Sequence, residues 1–242
     1  MKDLLEWIVN IGREKGANYV EARYQKFFST RIEVRDGKVI SATPGIERGV
    51  AIRSLVKGGW GFSTTNDITK EGLLKALENS IKIARQASID TEPIELAPAP
   101  IVIDKVEVPV KELLEEIPIS EKIKVLLEAD KATRNVAPNI KATSNYRDYA
   151  EEKIICTSEG TSIEIKNSWI FFGIWAYARE AGLIQSYRDR FAMLGGFEII
   201  GKMKISERSK KAAEKALKLL KAKPAPGGKF TVVVNGVLAG LL

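Results

Sequence analysis

Asp36-Gly37 sits between two stretches in which apolar and polar residues alternate, and this constrains the fold more than any other local signal. Both central positions of a tight two-residue hairpin turn need positive φ, which Gly adopts freely and Asp better than most residues. Arg31 to Arg35 enters the turn with Ile32 and Val34 facing inward, and Lys38 to Ala42 leaves it as the partner strand. Upstream, Tyr19 to Phe28 also alternates, with Val20, Ala22 and Tyr24 on one face and Glu21, Arg23 and Gln25 on the other. That pattern is a half-buried strand. Gly49 to Val56 and Trp60 to Ser63 predict a second hairpin around Lys57-Gly58-Gly59.

Helices flank these strands. Asp3 with Glu6 predicts a capped start for a first helix, with Leu4, Leu5, Ile8, Val9 and Ile11 at helical spacing and Gly16 as its stop. Thr69 is the expected N-cap of a second helix, whose Leu73, Leu74, Leu77, Ile81 and Ala84 form one stripe. Four prolines (Pro93, Pro98, Pro100 and Pro109) then mark an extended connector. Beyond it, a short helix is expected before Pro118 and another capped by Ser120, with Ile123, Leu126 and Leu127 buried. Strands follow at Ile140 to Tyr149, Glu151 to Thr157, Thr161 to Lys166 and Trp169 to Arg179, and Gly182 to Arg190 pairs back onto the last. A final helix from Ser206 to Lys221 carries Ala212, Ala216, Leu219 and Leu220 inward.

The expected class is α+β: two consecutive units of antiparallel sheet with flanking helices, plus the first strand of an unfinished third domain. The expected boundaries are a first domain at 1–88, a connector at 89–110, a central domain at 111–223, and a linker with a truncated third domain at 224–242. That last piece reads as a strand at Phe230 to Val234 and a buried element from Val237 to Leu242. So much apolar surface at the end implies that a larger protein continues past Leu242.

Composition removes several kinds of chemistry. The chain has no histidine and one cysteine. An imidazole zinc site, a Cys-only zinc site, a disulfide and a Ser-His-Asp or Cys-His arrangement are therefore all excluded within it. Glu151-Glu152 and Glu115-Glu116 are adjacent, but neighbours on a strand or helix point apart, so they read as solvated acids. Cys156, in Ile154-Ile-Cys-Thr, reads as a packed thiol with nothing nearby in sequence to activate it. Gly58-Gly59-Trp60-Gly61-Phe62 precedes a strand rather than a helix N-terminus, which makes it a hairpin with packed aromatics and not a phosphate loop.

No apolar stretch approaches the roughly 20 residues that span a bilayer, and the acids near Met1 do not suit a signal peptide. A cytoplasmic protein without membrane contact is expected. The net charge of +7 is local: Lys202 to Lys229 holds ten basic residues and two acids. Lys210, Lys211, Lys215, Lys218, Lys221 and Lys223 carry no interleaved aromatics, so they read as a solvated helix face rather than a nucleic-acid surface. In the densest apolar strand, Trp169, Phe171 and Gly173 share one face and Phe172, Ile174 and Ala176 the other. Aromatics on both faces predict burial between layers, with a peptide groove as the alternative.

The order of these features resembles the TldD/PmbA family. The most specific run is Gly49-Val-Ala-Ile-Arg-Ser-Leu-Val-Lys-Gly-Gly-Trp-Gly-Phe-Ser-Thr-Thr-Asn-Asp67, followed by a helix ending Ile83-Ala-Arg-Gln-Ala87. Thr157-Ser-Glu-Gly-Thr161, Gly195-Gly-Phe-Glu198, Ala213-Glu-Lys-Ala-Leu-Lys-Leu-Leu220, Pro224-Ala-Pro-Gly-Gly228 and Val232-Val-Val234 are similar to later passages of the family. The resemblance implies a modulator of DNA gyrase and a metallopeptidase that cuts unfolded peptides. It also implies a homo- or heterodimer with a family paralogue. The family's His-Glu-x-x-x-His motif is absent here, and Gly236-Val-Leu-Ala-Gly-Leu-Leu242 is similar to the residues just ahead of it. No metal or catalytic residue is therefore assigned to this chain, no substrate-binding residue is named, and zinc is expected only in the missing C-terminal domain. Trp60 and Ala239-Gly-Leu-Leu242 look more like the metal-binding, TldD-like type than its metal-free, PmbA-like partner. The implied role is a non-catalytic half that supplies scaffold and peptide channel. The alternative is a metal-free partner subunit.

Overall fold

The computed structural model describes residues 1–89, 94, 96–224 and 226–241, with the side chain of residue 237 set aside. Its elements are α1 (Lys2–Glu14), β1 (Tyr19–Arg35), β2 (Lys38–Val56), β3 (Gly59–Thr65), α2 (Lys70–Ala87), β4 (Ile103–Glu107), α3 (Ile119–Arg134), β5 (Ile140–Thr157), β6 (Ser162–Glu180), β7 (Leu183–Leu194), a 3-10 helix (Phe197–Met203), α4 (Ile205–Leu220) and α5 (Gly236–Ala239). The class is α+β. The strands form one seven-stranded sheet in the order β3-β2-β1-β5-β6-β4, with β7 also on β6. All pairings are antiparallel except β4 on β6. The two sheet units thus share a single ladder, joined where β1 runs against β5 from Glu21↔Thr157 to Arg35↔Thr143.

The local turn signals hold. Asp36 and Gly37 adopt φ of 48° and 80°, and Lys57 and Gly58 adopt 46° and 88°. A third hairpin repeats the pattern at Ala181 and Gly182, with φ of 46° and 82°. Alanine gives no sequence cue for that conformation. Thr69 caps α2 as expected, its hydroxyl accepting the Gly72 N–H at 3.1 Å. The other two caps are corrected. The first helix starts at Lys2 and the third at Ile119, after Pro118, neither with a side-chain cap, so Asp3 and Ser120 fall inside the first turn. Residues 111–117 form turns rather than a short helix.

Two further expectations are corrected. Residues 230–234 form no strand, and the regular structure there is the short α5, capped by Asn235. A strand needs a ladder partner, and no described strand pairs with this stretch. Within the connector, Ile103–Glu107 is a strand parallel to Ser162–Lys166; the expectation at 90–93 and 95 lies outside the described residues.

The strands are also longer than their patterns indicated. Tyr19–Arg35, Lys38–Val56, Ile140–Thr157 and Ser162–Glu180 are each unbroken where alternation suggested two pieces. The helices explain why. α1 and α2 cover one end of the sheet over a core containing Leu5, Ile8, Val20, Ile52, Leu73 and Leu77. α3 and α4 cover the other end over Ile32, Leu126, Tyr146, Phe172, Ile174 and Ala216. Between the two cores, Lys26, Glu152 and Lys166 lie side by side on neighbouring strands and face a cavity of about 250 Å³ also lined by Phe28, Val110 and Leu113. The apolar alternation breaks at this charged rung because no helix covers it, while the backbone ladder continues through.

One buried ionic knot ties α3 to the sheet. Lys122 Nζ meets Asp148 Oδ2 at 2.6 Å, with both side chains almost wholly enclosed. The ammonium also donates to the Leu114 carbonyl at 2.7 Å and to Thr30 Oγ1 at 3.1 Å. Asp148 Oδ1 accepts the Thr30 N–H at 2.7 Å, and Oδ2 accepts the Tyr146 hydroxyl at 2.9 Å. Burial, reinforced by the Asp148 charge, pushes the Tyr146 phenol far above its usual range. Buried charges persist only with this kind of full satisfaction.

Candidate functional site: the open sheet face and its free edge

Strand alternation leaves the helix-free face of the sheet to the odd-numbered residues of β1, β5 and β6. Phe27, Tyr149 and Trp169 stack across three strands, with centroids 5.3 and 5.6 Å apart. Arg53 lies over Trp60 at 4.4 Å, Arg188 over Trp175 at 4.7 Å, and Arg147 stands 6.0 Å from Phe171. The expectation that both faces of the aromatic strand are buried is corrected. Phe172, Ile174 and Ala176 are enclosed under α3 and α4, but Trp169, Phe171 and Trp175 are only half-buried, by one another and by arginine stems. Such faces are covered by partners or ligands more often than left bare.

Tyr19 belongs to the same face. Its hydroxyl donates to Glu21 at 3.1 Å, and its ring meets Trp60 edge-on. Burial and then the neighbouring Glu21 charge push its phenol up to about 12. Glu21 in turn holds Arg23 at 2.6 Å and Arg53 at 3.7 Å. At this end of the face the two arginines therefore share one carboxylate.

The sheet has two long free edges among the described residues. One is β2 from Lys38 to Gly49, which pairs only with β1. It contains Pro44, a residue that blunts edges by removing a donor. The other is the outer edge of the 12-residue β7, which pairs only with β6 and contains no proline. Leu183, Ile184 and Leu194 on β7 are each more than half exposed. α4 braces the strand on its inner side: Arg208 bonds Asp189 at 2.7 Å and covers the Phe191 ring, and Lys215 bonds the Tyr187 hydroxyl at 2.8 Å. A rigid strand with an unpaired edge is a template for an extended chain.

Glu151 and Glu152 occupy opposite faces of β5, Glu151 bonded to Gln25 and Lys153. Glu115 and Glu116 are exposed. The lysines of α4 line a solvated face, with Lys211 paired to Glu207 at 2.6 Å, and Leu219 is more exposed than its stripe implied. Gly59 and Gly61 form no phosphate loop; their missing side chains let β3 lie against the backbone of α2. Cys156 is buried, and burial pushes its thiol up; the Ser162 hydroxyl works against that shift and the Glu6 charge adds to it. The expected result is that Cys156 resists iodoacetamide at mildly alkaline pH in the folded chain and reacts fully once urea unfolds it. Rapid native labelling on a mass spectrum contradicts the packed-thiol assignment.

Among the described residues, no group of three or more His, Cys, Asp or Glu is placed to hold a metal ion. No described helix is long and apolar enough to cross a membrane. The fold is α+β, a seven-stranded sheet with helices on one face and a free outer edge on β7. Residues 20–84 match PmbA/TldA metallopeptidase domain 1, and residues 112–220 match the PmbA/TldA metallopeptidase central domain. The chain belongs to the TldD/PmbA family. It is 32% identical over 230 residues to a metalloprotease of Methanocaldococcus jannaschii, covering 93% of this chain and 49% of that protein. A metalloprotease of Methanothermobacter thermautotrophicus is 29% identical over 228 residues, covering 94% and 49%. The chain thus spans about half the length of these curated relatives. Among solved structures, TldE from Thermococcus kodakarensis superposes with a TM-score of 0.73 at 16% identity, covering 87% of this chain and 47% of that one. A candidate modulator of a DNA gyrase from Thermotoga maritima gives 0.75 at 19%, covering 94% and 50%. At those identities the likeness concerns the fold alone.

Proposed function

We propose that this chain is the substrate-holding, non-catalytic part of a TldD-like zinc metallopeptidase. The observation that carries the reading is the unpaired β7 edge beside an uncovered aromatic face. An unfolded peptide added to β7 gains main-chain hydrogen bonds whatever its sequence, while alternate side chains lie over the open face. The relatives named metalloproteases supply the reaction class. The residues of this chain do not fit zinc: there is no imidazole, the one thiol is buried, and among the described residues the carboxylates do not converge. Hydrolytic chemistry is assigned to the remainder of a longer protein. A His-Glu-x-x-x-His motif in that remainder selects this reading, and its absence selects the metal-free partner subunit.

Fluorescence anisotropy with a labelled unstructured peptide tests the holding role. The expected result is saturable binding that is lost when alternate peptide nitrogens are methylated, since methylation removes the ladder donors. Equal binding of the methylated twin contradicts edge pairing. Zinc-dependent cleavage of the peptide by the 242-residue chain, followed by chromatography, overturns the non-catalytic assignment.

A further inference from the structure

We propose that the open face beside β7 selects extended peptides carrying acidic side chains at alternate positions. The proposal rests on the reading that a peptide pairs with β7. Its basis is a concentration of arginines without carboxylate partners among the described residues, two of them resting on aromatic rings. Arg31 on β1 lies directly opposite Arg147 on β5, and Arg147 opposite Phe171 on β6. Like charges directly opposed on adjacent strands destabilise a sheet. One row along, Gly173 lies opposite Arg190 on β7, and in the next Trp175 lies opposite Arg188. All four arginines are exposed. The acid on this part of the face, Glu33, is engaged by Arg35 at 2.7 Å, and Asp189 points to the other side, where Arg208 holds it. Among the described residues, none of the four guanidiniums has a carboxylate partner. Acceptors are short throughout the patch: Asn145, opposite Gly173, has a buried Nδ2 with no partner.

The geometry specifies the ligand. Residues two apart on a strand point to the same face, so Arg188 and Arg190 project together beside the free edge. A strand added to β7 places two of its own side chains, at i and i+2, next to these guanidiniums. Carboxylates there meet planar donors that suit bidentate contact. Arg147 and Arg31 extend the positive field inward across the sheet. The aromatic rings argue for a peptide over a nucleic acid. Phe27, Tyr149 and Trp169 stack on each other, and Trp175 already carries Arg188, so their faces are occupied rather than offered to bases.

The test compares two labelled eight-residue peptides, alternating Thr-Glu and alternating Thr-Gln, and a labelled oligothymidylate, by anisotropy at low and high salt. The expected result is that the glutamate peptide binds about fivefold or more tighter at low salt, an advantage that salt screening erodes. Arg188→Gln with Arg190→Gln removes the advantage of the glutamate peptide over the Thr-Gln peptide, with circular dichroism confirming the fold. Equal binding of the two peptides overturns the acidic preference and leaves edge pairing standing. Binding of neither overturns both. Tighter binding of oligothymidylate that displaces the glutamate peptide assigns the arginines to nucleic acid and overturns the proposal.

Discussion

Replacing Lys122 with methionine is expected to destabilise the fold by about 3–5 kcal/mol, the usual cost of stranding one member of a buried ion pair. The apolar stem fits the same path, but Asp148 keeps its charge in a site with almost no solvent access. The Thr30 N–H and the Tyr146 hydroxyl still bond that carboxylate, which limits the loss without replacing the cation. The Leu114 carbonyl loses its donor as well. Adding Asp148→Asn removes the stranded charge, keeps an acceptor for Thr30, and recovers the greater part of the loss. Urea unfolding followed by circular dichroism measures both variants. A Lys122→Met chain within 1 kcal/mol of the parent contradicts the account of this knot.

The second large effect concerns the glycines of β3. A Cβ built on Gly61 overlaps the Ser80 carbonyl oxygen, and one on Gly59 overlaps that of Ala84. Both obstacles are backbone atoms of α2, so no side chain can swing aside. The helix is held there by the Ser54–Ser80 hydroxyl pair at 2.6 Å, both residues fully buried. Gly61→Ala is therefore expected to lift α2 from the sheet and cost about 3 kcal/mol or more, the upper range for overpacking. Gly201→Ala is the control, since a Cβ there meets nothing within 4 Å. Equal thermal midpoints for the two variants rule out the close approach of helix and strand.

Signals that act over a few residues were legible in the sequence. Asp36-Gly37, Lys57-Gly58 and the Thr69 cap stand where their chemistry places them. The inward faces of β1 and α2 followed from their periods, and the run Gly49 to Asp67 carried the family resemblance. What the sequence hid depends on partners distant along the chain. Strand length was one such feature, because Lys26, Glu152 and Lys166 interrupt the apolar pattern without interrupting the ladder. The fusion of two sheet units through β1 and β5 was another. Arg31, Arg147, Arg188 and Arg190 each look like ordinary solvent-facing residues of a half-buried strand. Only alignment of four strands makes them a cluster, and no single-segment pattern could have found it. The missing second layer over Trp169 and Trp175 had the same origin, since a run of aromatics does not reveal what lies above it.

The charged rung at the middle of the sheet has a mechanical meaning. A plank stiffened by helices at both ends, with none at its centre, concentrates bending and twist at the middle section. Among the described residues, Leu73 and Phe172 belong to two separate buried apolar cores, and the hydrogen-bonded strands run unbroken from one to the other.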